Sequence, residues 1–353
     1  MNPQKGRGAI SNVSGRFNLI QYEPDMEDLL NEEDRPSLKT QFLEDSSKTV
    51  VNENTSPDLP FRYSVNPYRG CEHGCAYCYA RPTHEYFGFS AGLDFESRIL
   101  VKRNAPELLR KRLLSPRWQP APIFMSGVTD CYQPAERKFR LTRGCLEVLT
   151  EFYNPVTLIT KNALVARDVD VLKDLAEHRC AQVYFSITTL DAEMARKLEP
   201  RTSTPQSKLI AMETLAKAGV PVGVNIAPVI PGLTDHEMPA ILKAASEAGA
   251  RRAGFIPVRL PYSVKDLFAE WLETNFPDRK NKVLNAIRSI RDGELNNPEF
   301  GSRMQGSGPR ADQIHALFDL FTKKHGINQS EEEVLSTENF RRPGEQLGFF
   351  GRP

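Results

Sequence analysis

The sequence predicts an α/β protein whose parallel strands form a partial (β/α)6 barrel of the TIM type. Three observations lead to this prediction: short β-branched or apolar runs recur from about residue 61 onward, amphipathic segments alternate with them, and capping residues separate the two. Alternation at this spacing is typical of βα units, which place their strands parallel in one sheet. Six strands make the barrel partial, and an open doubly wound sheet remains the alternative.

Six strands are expected, at a run leading into residues 66–68 and then at 121–125, 156–160, 182–187, 220–226 and 254–258. Helices are expected between them at 106–114, 136–152, 164–178, 205–218 and 235–248. Gly219 and Gly249 stand just past two of these helices, where a glycine commonly ends a helix. Thr234 and Asp235 begin another helix with polar capping residues.

Changes in composition predict four segments along the chain. Residues 1–60, rich in Asn, Ser, Glu, Asp and Pro, are expected to form an extended or disordered arm. Residues 61–260 form the barrel core. Helical patterns at 263–291 and 311–324 make 261–325 a helical C-terminal extension, and 326–353 is a flexible tail.

Charge and hydropathy exclude several classes of protein. The chain has 353 residues, a net charge of +1 and a mean hydropathy of −0.45, so no overall field favours nucleic acid or membrane. No apolar run approaches the roughly 20 residues that span a bilayer. The first residues are polar and lack an apolar signal core, which predicts a cytoplasmic protein without a membrane partner. In that compartment structural disulfides are uncommon.

Three of the six cysteines lie within eight residues, as Cys71-x3-Cys75-x2-Cys78. In a cytoplasmic protein such a cluster indicates a metal site. A structural zinc site normally takes four protein ligands in two separated pairs, and the sequence has no second pair. A four-iron cluster held by three cysteines leaves one iron open for a substrate or cofactor. The spacing favours the iron–sulfur cluster, with zinc and coincidence as the alternatives.

The three cysteines lie on the loop after the first strand, and Tyr77 directly precedes the third. This arrangement resembles the signature of the radical S-adenosylmethionine (radical SAM) enzymes. Residues 66–71, 79–81, 126–130 and 228–232 are similar to the bacterial group related to spore photoproduct lyase, the DNA repair photolyases. Residues 5–9 and 15–17 resemble the subfamily of that group whose substrate is unsettled. The resemblance covers roughly residues 60–325.

The resemblance implies the cofactors and the chemistry. Cys71, Cys75 and Cys78 would hold a [4Fe-4S] cluster, and S-adenosylmethionine (SAM) would bind its open iron. An electron from a reductant such as flavodoxin or ferredoxin would then cleave SAM to methionine and a 5′-deoxyadenosyl radical. The protein would orient the breaking bond and exclude water.

Further cofactor contacts are implied at the carboxyl ends of successive strands, where barrel enzymes carry their chemistry. Tyr77 and Asn225 would lie beside the adenine, Ser186 would reach the ribose, and Lys161 would meet the carboxylate. In the 126–130 turn, Ser126, Gly127 and Asp130 would meet the methionine ammonium. This turn departs from the common Gly-Gly-Glu pattern. Lys161 as a solvated strand end and Ser186 as a backbone partner are the alternatives.

Cys131 directly follows Asp130. Its position is similar to that of a cysteine near this strand end in the photoproduct lyases, which use it as a hydrogen donor. A catalytic Cys131 is therefore one hypothesis, and a small buried thiol is the other.

The substrate is expected to be a nucleic-acid base, with RNA, protein or a metabolite as rivals and a non-enzymatic metal-binding module as the alternative class. The C-terminal tail predicts one further binding partner. Gln346, Leu347, Phe349 and Phe350 resemble the peptide by which bacterial repair proteins bind the sliding clamp.

Overall fold

A computed structural model describes residues 4–17, 38–329 and 335–344. Its strands are β1 (Gln41–Glu44), β2 (Val51–Glu53), β3 (Tyr63–Val65), β4 (Tyr68–Arg69), β5 (Arg98–Val101), β6 (Ile123–Met125), β7 (Val156–Thr160), β8 (Ala181–Ser186), β9 (Val222–Val229) and β10 (Arg252–Pro257). The main sheet has the order β10-β9-β8-β7-β6-β3-β2. All its pairs are parallel except β2 with β3.

The predicted fold class is confirmed. The six parallel strands follow one another in chain order, as successive βα units require, and each overlaps a predicted strand. In the described residues no ladder joins β10 to β2, so the barrel is open along one side. We call this opening the seam.

The α-helices are α1 (Leu93–Ser97), α2 (Ala105–Leu114), α3 (Glu136–Phe139), α4 (Leu141–Phe152), α5 (Val169–Glu177), α6 (Ala192–Leu198), α7 (Pro205–Lys217), α8 (Met238–Glu247), α9 (Val264–Asn275), α10 (Lys280–Arg288), α11 (Ser302–Gln305) and α12 (Gly308–Lys324). Among the described helices, none has the length and apolar character needed to cross a membrane.

The helices differ from the predicted ones in three respects. The predicted helix 136–152 is divided into α3 and α4, because Arg140 has a left-handed backbone with φ of 51°. The predicted helices at 164–178 and 235–248 begin as 3-10 turns, at Ala163–Asp168 and Asp235–Glu237. The short helices α1, α6 and α11 were not predicted, because five, seven and four residues are too few to display a helical period.

The hydrophobic core lies between the main sheet and the helices around it. In β7, Val156 and Leu158 are buried in this core, while Thr157 and Ile159 line the barrel interior. Side chains two residues apart on a strand point to the same face. The same row continues to Lys161, directly after the strand, at the carboxyl end of the barrel.

A small second sheet, β1-β5-β4, packs beside the barrel. β1 pairs with β5 in parallel, so part of the N-terminal arm belongs to a sheet. Residues 7–16 also contact the body of the protein, through bonds described below. The division into four segments at residues 60, 260 and 325 stays a prediction.

Candidate active site

The cysteine loop, residues 71–78, lies at the carboxyl end of the parallel strands. Cys71 and Cys75 are buried and Cys78 is half-buried, and all three are free thiols. Burial raises the pKa of each thiol, and the neighbouring thiols raise the pKa of Cys71 further. The three sulfur atoms are therefore within electrostatic reach of one another.

Hydrogen bonds from the segment after β6 fix the start of this loop. The Gln133 side chain donates to the Gly70 carbonyl at 3.1 Å and accepts from the Glu72 amide at 3.0 Å, so it brackets Cys71 on both sides. Gln133 is fully buried. The Asn66 side-chain oxygen accepts from the Val128 amide at 3.1 Å. The predicted 126–130 turn and the cysteine loop are thus one connected unit.

Asp130 joins the cysteine loop to β7. Its carboxylate accepts hydrogen bonds from the Thr160 hydroxyl at 2.8 Å, the Lys161 amide at 2.7 Å and the Tyr132 amide at 2.9 Å. Nδ1 of His73, on the cysteine loop, lies 3.4 Å away. Burial opposes ionisation, but His73 and these hydrogen bonds hold the pKa of Asp130 below its usual value.

His73, inside the cysteine loop, contacts the ends of two neighbouring elements. Its Nε2 pairs with the Asn162 side-chain amide at 3.2 Å, and its carbonyl accepts from the Arg201 amide at 3.3 Å. The Arg201 guanidinium forms an ion pair with Glu72 at 3.2 Å. The cysteine loop is therefore tied to the ends of β7 and α6.

A buried charged group centred on Glu199 lies beside Cys75. The Glu199 carboxylate pairs with Lys161 at 3.2 Å and with Lys208 at 3.0 Å, and it accepts from Thr188 at 2.7 Å and from the Tyr77 hydroxyl. Burial opposes ionisation, but the two ammonium groups hold the pKa of Glu199 far below its usual value. Sequence reasoning missed Glu199, because nothing in its local pattern distinguishes it from a surface acid at a helix end.

Several predicted contact residues share the barrel interior. Tyr184 and Asn225 line it, and Ser186 continues the Tyr184 row by one strand period. Ser186 and Asn225 are direct partners across β8 and β9. A cavity of about 820 Å³ occupies the amino-terminal part of this interior, from Pro122 and Pro221 before the strands to Ile159 and Asn225 within them. The structure thus brings the predicted ribose and adenine contacts together.

The family model described as the Radical SAM superfamily matches residues 65–245, which is more than half of the chain. The chain belongs to this superfamily. It is therefore a radical SAM enzyme, and its cofactors are a [4Fe-4S] cluster and SAM.

The chain is also similar to individual relatives and solved structures. An uncharacterized protein of Mycobacterium tuberculosis is 36% identical over 240 residues, which cover 67% of this chain and 71% of the relative. A protein named radical SAM Nalpha-GlyT isomerase, from Pseudomonas phage M6, is 27% identical over 49% of this chain and 34% of its own. A structure of spore photoproduct lyase complexed with dinucleoside spore photoproduct has a TM-score of 0.59 at 16% identity, covering 81% and 80% of the two chains. This last likeness concerns the fold.

The donor set of the cysteine loop fits the radical SAM cluster. Three thiols on one loop are near one another, yet no three His, Cys, Asp or Glu side chains in the described ranges converge on a single metal ion. A four-iron cluster is wider than an ion, and each of its three ligating thiolates binds a different iron atom. Cys71, Cys75 and Cys78 are the residues that would hold it.

Three residues that were predicted to contact SAM also bind other residues of the protein. Asp130 accepts the hydrogen bonds given above. Lys161 pairs with Glu199 and donates to the Ala227 carbonyl at 2.8 Å. The Tyr77 hydroxyl donates to Glu199. Lys161 neither points into solvent nor stands without a partner. The roles of these residues in SAM binding stay predictions.

The predicted 126–130 turn has an unusual backbone. Ser126 has φ of 80°, which is uncommon for a residue with a side chain and often marks a functional site. Its hydroxyl accepts from the Cys131 amide at 2.9 Å. A Cβ added to Gly127 would make ordinary van der Waals contacts with Ser64 and Phe124, at 3.6 and 3.8 Å, so the protein's own packing does not require a glycine there.

Cys131 lies in the core rather than in the barrel interior. Its side chain is fully buried in the cluster that contains Leu146 and Val156. Burial raises the pKa of its thiol. The thiol is thus small and buried, as the alternative supposed, and a hydrogen-donor role for Cys131 stays a prediction.

The N-terminal strap, residues 7–16, covers the cysteine loop. The Gly8 and Ala9 amides donate to the buried Glu96 carboxylate at 3.0 and 2.8 Å, and Glu96 is also paired with Arg81 at 2.5 Å. The strap backbone touches the loop directly, because a Cβ on Gly8 would lie 1.7 Å from the Gly74 carbonyl oxygen. The close approach explains the glycine in this sequence motif.

We expect Gly8→Val to displace the strap and lower the free energy of unfolding by about 1–3 kcal/mol, as overpacking of a close contact does. The reconstituted cluster should then lose its visible absorption faster in air than in the unaltered protein. Ser14→Val is the matched control, because Ser14 is on the same strap and exposed. Equal rates of cluster loss in the two variants would contradict a covering role for the strap.

Proposed function

We propose that the protein acts on a nucleic-acid base, in a reaction of the photoproduct lyase kind that repairs DNA. When bound, the cluster and SAM supply a 5′-deoxyadenosyl radical after one-electron reduction by a cytoplasmic flavodoxin or ferredoxin. The chain's own residues bind and orient the cofactors at the carboxyl end of the barrel. The strap and the buried Glu199 group exclude water from that end.

An exposed aromatic surface beside the cysteine loop carries the proposal. Tyr86, Tyr262 and Phe17 are 68%, 60% and 54% exposed, and the Arg16 guanidinium lies 5.8, 3.9 and 5.2 Å from their ring centres. We call these four residues the aromatic rim. Tyr86 belongs to the 3-10 helix Arg81–Phe87, which follows the cysteine loop directly. Exposed aromatic rings with arginine are the usual stacking surface for unpaired bases.

The comparisons support a nucleic-acid substrate without specifying the reaction. Spore photoproduct lyase shares the fold and is described with a dinucleoside photoproduct, whereas the phage relative is named an isomerase. A base must leave a duplex before a buried active site can reach it, and an aromatic surface stabilises the flipped base.

The decisive experiment compares nucleosides in cells. DNA and RNA from ultraviolet-irradiated cells lacking the gene should contain a modified or damaged nucleoside that cells with the unaltered protein remove or convert. Cells that carry Cys75→Ala serve as the matched control, and they should behave like the deletion strain. Unchanged nucleosides together with an altered protein or metabolite would contradict the proposal.

A metabolite substrate is the second candidate, and the interior cavity is the observation that favours it. Its volume of about 820 Å³ lies within the range of small-molecule sites. Thr157, Gln182 and Asn225 supply polar groups to its wall. Small-molecule binding to the cluster-loaded protein, with no affinity for oligonucleotides, would favour this candidate.

We also propose that the tail binds the bacterial sliding clamp through Gln346, Leu347, Phe349 and Phe350, which lie outside the described residues. A peptide of residues 338–353 should bind purified clamp with micromolar affinity at best, because ordering the peptide offsets part of the apolar burial. Gln346→Ala with Phe350→Ala should remove the binding. Absence of association at high peptide concentration would contradict this partner.

A further inference from the structure

At the end of the barrel that carries the cysteine loop, side-chain contacts connect the two sides of the seam, where the described strands form no ladder. The Tyr79 hydroxyl donates to the Gly127 carbonyl at 2.9 Å, just past β6. From the other side of the seam, just past β10, the Arg259 guanidinium lies 4.9 Å from the centre of the Tyr79 ring. Tyr79 follows Cys78 in the sequence and is 47% exposed. Arg259 is therefore close to the cysteine loop and at the opening of the barrel.

Arg259 has no carboxylate partner among the described residues. The nearby acid is Asp58, in the segment between β2 and β3, but its carboxylate binds other groups. Asp58 forms an ion pair with Arg303 and accepts from the Gly301 amide at 2.6 Å. Arg303 completes its own contacts by donating to Ser56 at 2.8 Å.

Of the other arginines at this end of the barrel, Arg291 donates to the backbone carbonyls of Pro257 and Val258, and two others are paired with carboxylates. Arg81 pairs with Glu96 and Arg16 with Glu85, each at 2.5 Å. Arg259 is half-buried, and burial together with the charge of Arg303 lowers its pKa. A half-buried cation without a counter-ion is unfavourable, and such groups concentrate at binding sites. An anion from outside the chain would complete its environment.

We propose that Arg259 binds a phosphate oxygen of the nucleic-acid strand next to the target base. This inference rests on the proposed nucleic-acid substrate and names one contact for it. A guanidinium matches phosphate geometry through two parallel hydrogen bonds. Phosphate contacts of this kind set the position of a strand without reading its sequence. The Tyr79 ring beside Arg259 is exposed, and a base next to that phosphate can stack on it.

The test measures binding of a labelled single-stranded oligonucleotide of mixed sequence to the cluster-loaded, full-length protein over a range of salt concentrations. Arg259→Gln should weaken binding about tenfold or more, the size expected for a hydrogen bond to a charged group. The slope of log affinity against log salt should fall by about 0.7, one phosphate contact on a single strand. Arg259→Lys should keep most of the slope, because it keeps the charge.

Arg117→Gln is the matched control, because Arg117 is exposed and precedes β6 at the opposite end of the barrel. It makes the same change of charge and should leave affinity and slope unaltered. Melting temperatures of all variants establish that they are folded. No buried carboxylate loses its partner in Arg259→Gln, so the fold should persist.

Two results would overturn the inference while leaving the proposed function intact. In the first, Arg259→Gln binds the oligonucleotide with unaltered affinity and slope. In the second, Arg259→Gln weakens binding of SAM alone and not of the oligonucleotide, which would assign Arg259 to the SAM carboxylate. If the unaltered protein binds neither DNA nor RNA, the proposed nucleic-acid function fails, and the inference about Arg259 fails with it.

Discussion

Cys71→Ala, Cys75→Ala and Cys78→Ala should each abolish the iron–sulfur cluster. The unaltered protein, purified without oxygen, should be brown and contain about four iron atoms per chain. Each variant leaves two thiols on the loop, and two cannot replace three ligands of a cluster whose fourth iron has no protein ligand. Iron analysis and visible absorption provide the measurement. With dithionite and SAM, the unaltered protein should form 5′-deoxyadenosine and methionine, and the variants should form neither.

Cys145→Ala is the matched control for the cysteine variants. Cys145 is fully buried in α4, within the core between helices and sheet, and is not on the cysteine loop. Its replacement removes a thiol without removing a predicted ligand, so iron content should be kept. Zinc as the dominant metal in an iron-replete, oxygen-free preparation would contradict the assignment of these three ligands.

Glu199→Gln should lower the free energy of unfolding by about 3–5 kcal/mol, the usual cost of removing one partner from a buried ion pair. The change leaves Lys161 and Lys208 buried without their carboxylate, and it weakens the bond that holds Tyr77. Urea unfolding of the cluster-free chain measures the loss independently of cofactor binding. Glu213→Gln, on the exposed face of α7, should change stability by no more than about 0.5 kcal/mol.

A double variant distinguishes the loss of the ion pair from a change in side-chain packing. Lys208→Met combined with Glu199→Gln removes one of the two unpaired charges, so the double variant should regain part of the lost stability. A loss below about 1 kcal/mol in Glu199→Gln, or no recovery in the double variant, would contradict the view that Glu199 neutralises the two lysines.

Local patterns were enough to predict six strands along the chain, each of which overlaps an observed strand. The period of two along β7 places Lys161 in line with Thr157 and Ile159, and the same period relates Ser186 to Tyr184. The spacing of Cys71, Cys75 and Cys78 likewise depends only on a short stretch of chain. Such features can be predicted because they follow from backbone geometry within one element.

The partners of these residues were decided by tertiary structure. Glu199 meets Tyr77, Lys161 and Lys208, which lie on three different elements, and no pattern along the chain relates them. The sequence therefore predicted Lys161 as a ligand contact or a solvated strand end, and neither prediction included its buried partner. Cys131 follows a strand end as a catalytic residue would, yet its side chain is fully buried in the core.

By itself, the sequence determined the partial barrel and predicted the three cluster ligands, because hydrophobic periodicity and ligand spacing are local properties. Only the tertiary structure decided that the strap lies on the cysteine loop, with Gly8 against Gly74. It also placed Arg259 at the seam, where no carboxylate of the described residues pairs with it, because Asp58 pairs with Arg303. Contacts between segments far apart in the chain depend on how the elements pack, and a single sequence carries no local signal for that packing.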